Sequence, residues 1–231
     1  MVQKGFLEYL NRFSRAHPWH GLPIGEHSPE EICCYIEIVP TDTVKFELDK
    51  KSGLLKIDRP QKYSNNCPCL YGLIPQTYAA RRVGERCCEK TGRQGVSGDE
   101  DPLDVCVLTE KPILRGDVVV TAIPIGGIRA IDGNQADDKI VAVLKDDLVY
   151  KDIRDIHDCP ENLIDRLVHY FLTYKESPQD LRGHERRLEI DGIYDREEAQ
   201  AIIRLALCDY DEHFPNVRSH LDQMHQGSLL F

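Results

Sequence analysis

The alternation of hydrophobic and polar residues predicts a series of short β-strands along the first two thirds of the chain. In the segment 43–48, Val44, Phe46 and Leu48 fall on one face, and Lys45 and Glu47 fall on the other. The predicted strands cover residues 32–38, 43–48, 54–58, 105–108, 117–123 and 139–144. The second and third strands form a hairpin, because the turn 49–53 is polar and ends in glycine.

Helical spacing replaces this alternation in the last third of the chain. Apolar residues between Leu163 and Leu172 recur at helical spacing, and Pro160 stands near the predicted helix start. A second helix is predicted over 197–207. Residues 1–15 also look helical, and an extended arm follows them up to residue 30. We predict one α+β domain over residues 1–231, mainly β with packed helices: an antiparallel barrel flanked by C-terminal helices.

Residues 79–98 break this pattern. Five basic residues outnumber two acidic ones there, and apolar periodicity is weak. We therefore predict a long basic loop inserted into the domain, and such loops are often functional or mobile. A solvated surface insertion is the favoured interpretation, and a basic flap near an anionic substrate is the alternative.

The overall charge narrows the range of partners. The 231 residues contain 29 lysines and arginines against 39 aspartates and glutamates, a net charge of −10. This balance argues against nucleic acid and anionic membranes as partners. The nine cysteines, an odd number, suit a reducing compartment, so we expect a cytoplasmic protein. A zinc site at Cys67, Cys69, Cys87 and Cys88 is a weaker interpretation, because the spacing is not that of common zinc modules.

The strongest chemical signal is the run Gly-Asp-Glu-Asp-Pro-Leu-Asp-Val at 98–105. It places Asp99, Asp101 and Asp104 within six residues of one another. Carboxylates at this density repel one another unless a cation neutralises them, and Mg²⁺ prefers oxygen ligands. A predicted buried strand follows at once, so the aspartates stand where a rigid element can hold them.

A second acidic group contains Asp132, Asp137 and Asp138, and Lys139 follows directly. Taken alone it is a weak signal, since polar hairpin loops often contain aspartate and glycine. Because both groups adjoin predicted strands, they could converge and hold several divalent ions.

Cationic and phenolic side chains could bind an anionic substrate beside such ions. The candidates are Lys45, Arg59, Lys139, Lys175, Tyr71 and Tyr174. For the strand face that carries Lys45 and Glu47, spacing alone favours solvent exposure, and a cleft lining is the alternative. Carboxylate-held metals together with such donors suit phosphoryl transfer to water.

The run 99–105 also fits the signature D-x-D-P-x-D. Flanking matches stand at 37–40 (Glu-Ile-Val-Pro), 45–49 (Lys-Phe-Glu-Leu-Asp), 53–59 (Gly-Leu-Leu-Lys-Ile-Asp-Arg), 71–75 (Tyr-Gly-Leu-Ile-Pro) and 174–175 (Tyr-Lys). With these motifs in order, the chain resembles the soluble inorganic pyrophosphatases of the single-domain, magnesium-dependent family. The stretch His-Pro-Trp-His at 17–20 is similar to the arm of plant-like members.

The resemblance implies an OB-like five-stranded barrel and a homo-oligomer. It implies hydrolysis of inorganic diphosphate to two orthophosphates by in-line attack of a metal-activated water, with several Mg²⁺ ions in each site. Asp101 would be the general base, and Glu47 would support the metal and water network. The metal ligands would be Asp99, Asp104, Asp132, Asp137 and Glu37. The two phosphates would contact Lys45, Arg59, Tyr71, Lys139, Tyr174 and Lys175.

One departure from the family pattern bears on turnover. Where the family usually carries Tyr-Pro-x-Asn-Tyr-Gly, this chain has Cys67, Leu70 and Tyr71 at the matching positions. Losing hydrogen bonds there would cost about 1 kcal/mol each, so we expect lowered or redox-sensitive turnover. A non-catalytic OB-type binding module is therefore one alternative, and hydrolysis of nucleotides or polyphosphate is another.

Overall fold

A computed structural model describes residues 15–177, 188–215 and 217. The strands are β1 (Ile32–Ile38), β2 (Val44–Leu48), β3 (Leu55–Pro60), β4 (Leu70–Leu73), β5 (Ser97–Gly98), β6 (Asp104–Leu108), β7 (Val118–Asp132), β8 (Gln135–Ala136), β9 (Lys139–Leu144) and β10 (Leu188–Asp195). The α-helices are α1 (Arg81–Thr91), α2 (Glu161–Thr173) and α3 (Arg196–His213), and a 3₁₀ turn covers Ile156–Asp158. The helix predicted at 1–15 lies outside the described residues, apart from its last position.

Five strands close into a ring in the order β1, β4, β6, β9 and β7, and β7 pairs back onto β1. This ring confirms the predicted five-stranded barrel. One of its five pairings, β6 with β9, is parallel, whereas we had expected antiparallel pairing throughout. The long strand β7 pairs with β1 through its first half and with β10 through its second half.

All six predicted strands are present, but β4, β10 and the two-residue strands β5 and β8 were missed. Strand β4 is short and contains Gly72, which normally indicates a turn. Here the glycine lets β4 approach β1 closely, because a Cβ at this position would lie 1.9 Å from the carbonyl oxygen of Tyr35. Close approach of two backbones is the other use of glycine in a strand.

The core covers both faces of the barrel wall. Val105 and Val107 of β6 pack in the cluster that also contains Ile202 and Ile203 of α3. The alternate residue Cys106 faces the cluster beneath helix α2. Because β6 is buried on both faces, it reads in sequence as an uninterrupted apolar run. In the described part of the chain, no helix has the length and apolar character needed to cross a membrane.

The prediction of a long loop at 79–98 is wrong, because helix α1 occupies most of this segment. Only Val83, Gly84 and Cys87 are buried, so the apolar stripe is too narrow to stand out in the sequence. The N-cap residue Ala80 supplies no side-chain cap. The carboxylate of Asp209 on α3 caps α1 instead, accepting the backbone N–H groups of Ala80 at 3.2 Å and Arg82 at 2.9 Å.

This long-range cap yields a stability prediction. Replacing Asp209 with alanine leaves the first N–H groups of α1 and the Arg82 guanidinium without their buried acceptor. We expect a loss of about 2–3 kcal/mol in the free energy of unfolding, measured by urea denaturation. Glu212→Gln is the matched control, since this exposed carboxylate contacts Arg82 from the solvent side and should change stability by less than about 0.5 kcal/mol. Equal unfolding midpoints for Asp209→Ala and the control would contradict the capping role.

Candidate active site

One small cavity at one end of the barrel is lined by all of the predicted site residues except Arg59. Its volume is about 240 Å³, below the roughly 300–1,000 Å³ of pockets that take drug-sized ligands. The predicted residues that line it are Glu37, Lys45, Glu47, Tyr71, Asp99, Asp101, Asp104, Asp132, Asp137, Lys139, Tyr174 and Lys175. The cavity therefore suits a small, highly charged ligand.

Strand register explains why the two acidic segments meet. Asp104 is the first residue of β6 and Lys139 is the first residue of β9, and the two are direct partners in the parallel pairing. Asp137 lies two residues before Lys139. Tyr71 approaches from β4, the neighbour of β6 on the other side. Adjacent strands of one barrel thus bring their polar residues to the same end.

The side chain of Lys139 joins the two acidic segments. Its Nζ lies 2.6 Å from Oδ2 of Asp104 and also contacts Oδ1 of Asp137. The residue is only 1% exposed, so its charge is compensated by these carboxylates and not by water. Burial lowers the pKa of Lys139, but the two carboxylates outweigh that effect and hold the pKa well above its usual value. The hydroxyl of Tyr71 donates a further hydrogen bond of 2.5 Å to Asp104.

The remaining carboxylates are crowded and poorly solvated. Burial raises the pKa of Asp99, and the nearby charges of Asp137 and Asp104 raise it further. Burial also raises the pKa of Glu37 to about 8, although the backbone N–H of Leu48 donates to this carboxylate at 2.6 Å. Burial is the largest cause of both shifts, so a nearby cation would favour the charged form of these two carboxylates.

The strand face with Lys45 and Glu47 lines the cavity, so our preference for a solvated face was wrong. Both side chains are half-buried, and Lys45 Nζ lies 3.1 Å from Asp58 and 3.7 Å from Glu47. The hairpin β2–β3 folds over the mouth of the barrel, which spacing within one strand cannot reveal.

Lys50 is a cavity residue that the sequence did not single out. It stands in the turn between β2 and β3, and its Nζ forms an ion pair with Oδ1 of Asp101. Lys175 is paired in the same way with Asp132, at 2.6 Å. The only signal for Lys50 was its position directly after the motif at 45–49.

Arg59 is the one predicted residue that does not line the cavity. Its guanidinium donates to the neighbouring Asp58 at 2.6 Å and lies 5.6 Å from the centre of the Tyr174 ring. One of its terminal nitrogens is buried and has no hydrogen-bond partner among the described residues. The arginine is therefore close to the site, with donor capacity left over.

The donor set fits a hard divalent cation. The lining contains several carboxylates and, among the described residues, no histidine or cysteine, and oxygen donors of this kind suit Mg²⁺ or Mn²⁺. In the described part of the chain, no three acidic side chains are already arranged so that they could hold one metal ion. The ammonium groups of Lys139 and Lys175 lie beside these carboxylates instead, so ion binding would require these two side chains to move aside.

The four cysteines of the zinc interpretation pack in or against two different core clusters and do not form a metal site. Cys67 and Cys69 lie in the cluster under α2, their sulfurs 3.9 Å apart, whereas Cys87 lies in the cluster under α3. The four sulfurs of the zinc interpretation therefore do not converge. Cys67 and Leu70, which replace the usual Tyr and Asn, are buried and do not line the cavity.

The basic residues of 79–98 also lie away from the cavity. Arg82 pairs with Asp209 at 2.8 Å, and Arg86 pairs with Glu198 at 2.5 Å. Helix α1 is therefore bound to α3, and no residue of this segment is part of the cavity lining. The basic-flap interpretation finds no support.

Comparison with known proteins agrees with this geometry. Residues 34–211 match the family model described as inorganic pyrophosphatase. The inorganic pyrophosphatase of Chlamydia caviae is 55% identical over 199 residues, which cover 86% of this chain and 92% of that protein. Soluble inorganic pyrophosphatase 1 of Arabidopsis thaliana is 37% identical over 76% of this chain and 74% of its own length.

A solved structure gives the same result for the fold. The crystal structure of inorganic pyrophosphatase from Thermus thermophilus matches with a TM-score of 0.68 and 29% identity, covering 84% of this chain and 99% of that one. The family model and the relatives agree on one assignment across most of the sequence. This chain belongs to the inorganic pyrophosphatase family.

Proposed function

We propose that this chain hydrolyses inorganic diphosphate to two orthophosphates and that the reaction depends on Mg²⁺. The observation that carries the proposal is the convergence of the acidic segments 99–104 and 132–137 on one small cavity, together with lysine and tyrosine side chains. Membership of the inorganic pyrophosphatase family supports the same reaction. Diphosphate carries several charges on a small volume, so it needs the mixture of cations and hydroxyl donors found here.

The carboxylates would hold the metal ions. Asp99, Asp104 and Asp137 would bind the tighter ions, and Asp132 and Glu37 would complete the oxygen ligands. When bound, Mg²⁺ supplies screening of the phosphate charge and a lowered pKa for a coordinated water. Burial, together with neighbouring carboxylates, raises the pKa of Asp99 and Glu37, and a bound divalent cation would offset this effect by stabilising the charged form of both groups.

Asp101 would accept the proton of the attacking water. Its carboxylate lines the cavity and is more exposed than those of Asp104 and Asp137, so it can face the bound substrate. Glu47, on β2, would support the metal and water network. A well-placed general base of this kind contributes roughly 10²–10⁴-fold to the rate.

The substrate would be held by cationic and phenolic side chains of the cavity. Lys45, Lys139 and Lys175 would neutralise phosphate oxygens, and the hydroxyls of Tyr71 and Tyr174 would donate hydrogen bonds. Arg59 would join them by exchanging Asp58 for a phosphate, since its buried terminal nitrogen lacks a hydrogen-bond partner among the described residues. Bidentate binding of phosphate is a usual role of arginine.

The rival function is a binding module without catalysis, and it rests on Cys67 and Leu70, which replace residues that usually adjoin the site. Both side chains are buried in the core and outside the cavity lining. The assay should also compare turnover of diphosphate with turnover of nucleotides and polyphosphate, and we expect diphosphate to be the preferred substrate.

The metal requirement is tested by release of phosphate from diphosphate. We expect activity with Mg²⁺, complete loss when a chelator is added, and recovery when Mg²⁺ is restored in excess. The carboxylates alone repel the anionic substrate, which explains the expected loss. Undiminished activity after exhaustive chelation would refute the metal requirement, and no activity under any metal condition would refute the enzyme.

Two aspartate variants separate metal binding from proton transfer. Asp104→Asn should lower kcat by roughly 100-fold or more and weaken metal binding, because this residue is central to the acidic group. Asp101→Asn should lower kcat by about 10²–10⁴-fold while metal affinity stays near that of the wild type. Affinity is measured by isothermal calorimetry, and turnover is measured on the same preparations.

The exposed Asp152 supplies a matched control. Asp152→Asn makes the same chemical change at a residue outside the cavity lining and should alter neither quantity. The assignment of roles is contradicted if Asp104→Asn retains full turnover, or if Asp101→Asn loses metal affinity as strongly as Asp104→Asn does.

A further inference from the structure

The ion pair between Lys50 and Asp101 is a contact that the proposed roles do not use. Lys50 Nζ meets Oδ1 of Asp101 inside the cavity, and both side chains are partly exposed, at 45% and 39%. Exposed ion pairs contribute little to folding free energy, so stability does not explain this contact. The ion pair instead restrains the orientation of the Asp101 carboxylate.

The turn that carries Lys50 is rigidly built. Asp49 accepts the backbone N–H of Ser52 at 2.8 Å through its side chain, and its carbonyl accepts the N–H of Gly53 at 2.8 Å. Gly53 has a φ of +70°, which favours glycine. A Cβ on Gly53 would also lie 2.8 Å from the ring of His17, so the N-terminal arm packs directly on this turn.

His17 holds the backbone of Lys50. Its Nδ1 accepts the backbone N–H groups of Trp19 at 3.2 Å and His20 at 3.3 Å. The proton of the neutral ring is therefore on Nε2, which donates to the carbonyl oxygen of Lys50 at 3.2 Å. A neutral ring agrees with its burial, which lowers the pKa of His17.

The next arm residue holds the other side of the ion pair. Trp19 Nε1 donates to the carbonyl oxygen of Thr77 at 2.8 Å, and the backbone N–H of Gln76 donates to the carbonyl oxygen of Trp19 at 2.9 Å. The hydroxyl of Thr77 accepts the N–H of Leu103 at 2.9 Å, two residues after Asp101. The arm thus connects the turn that carries Lys50 to the loop that carries Asp101.

We propose that Lys50 is a positioning residue for Asp101, and that His17 and Trp19 fix the distance between the two segments so that the ion pair forms. This inference rests on the proposed function, in which Asp101 accepts the proton of the attacking water. A counter-charge at one carboxylate oxygen restrains the Asp101 side chain and leaves its other oxygen to face the water. Small errors in such placement are costly to catalysis.

The first test compares two adjacent lysines of the same turn. Lys50→Met removes the charge and keeps the length of the side chain, and it should lower kcat roughly tenfold with a smaller change in KM. Lys50→Arg should recover part of the loss, because it restores a cation. Lys51→Met is the matched control, since Lys51 is exposed and outside the cavity lining, and it should behave as the wild type. Equal kinetics for Lys50→Met and Lys51→Met would overturn the proposal.

The second test asks whether Lys50 acts through Asp101. In an Asp101→Asn background, Lys50→Met should cause no further loss of kcat, because the carboxylate that it positions is already gone. A full tenfold loss in that background would overturn the proposal and assign Lys50 to the substrate directly. His17→Ala should likewise lower kcat in the wild type, and its effect should not add to that of Lys50→Met.

A spectroscopic control separates misplacement from misfolding. Trp19 is the only tryptophan of the chain and lines the cavity, so its fluorescence reports both the arm and the site. The Lys50→Met variant should keep the wild-type emission and the wild-type response to Mg²⁺. A shifted emission with lost Mg²⁺ response would overturn the positioning role in favour of a structural one. Absence of diphosphate hydrolysis in the wild type would instead refute the proposed function, so the two failures are distinguishable.

Discussion

The ammonium group of Lys139, buried between Asp104 and Asp137, is the interaction on which the site depends. Without a cation at this point, two carboxylates with little access to water would repel each other across the barrel end. Breaking a buried pair by removing one partner typically costs about 3–5 kcal/mol. Lys139 therefore stabilises the two neighbouring carboxylates, which would also be ligands for metal ions.

Lysine side chains pair with carboxylates at other points of the cavity as well. Lys175 is paired with Asp132 and Lys50 with Asp101, so each of these cations lies beside a carboxylate that we expect to act on metal, water or substrate. Binding of divalent ions would replace the contacts of Lys139 and Lys175 and free these two lysines for phosphate oxygens, whereas the pair between Lys50 and Asp101 would persist. Lysine suits such exchange, because its charge sits on a long flexible side chain.

Local patterns predicted much of this arrangement, and long-range contacts account for the rest. Strand β9 matched its predicted bounds, and the carboxylates of 99–104 were found from their density alone. Helix α1 was missed because its cap, Asp209, is more than a hundred residues away. Lys50 was missed because its partner Asp101 lies on another segment, and no spacing rule connects a turn to a distant loop.

We expect the two acidic segments to close around a common hard cation. Mn²⁺ takes the same oxygen ligands as Mg²⁺ and scatters X-rays anomalously, so a crystal soaked in MnCl₂ tests the claim directly. An anomalous peak should lie within coordination distance of the carboxylates of Asp99, Asp104 and Asp137, with Lys139 Nζ displaced from Asp104 or Asp137. A strong peak elsewhere, with Lys139 still between Asp104 and Asp137, would contradict it.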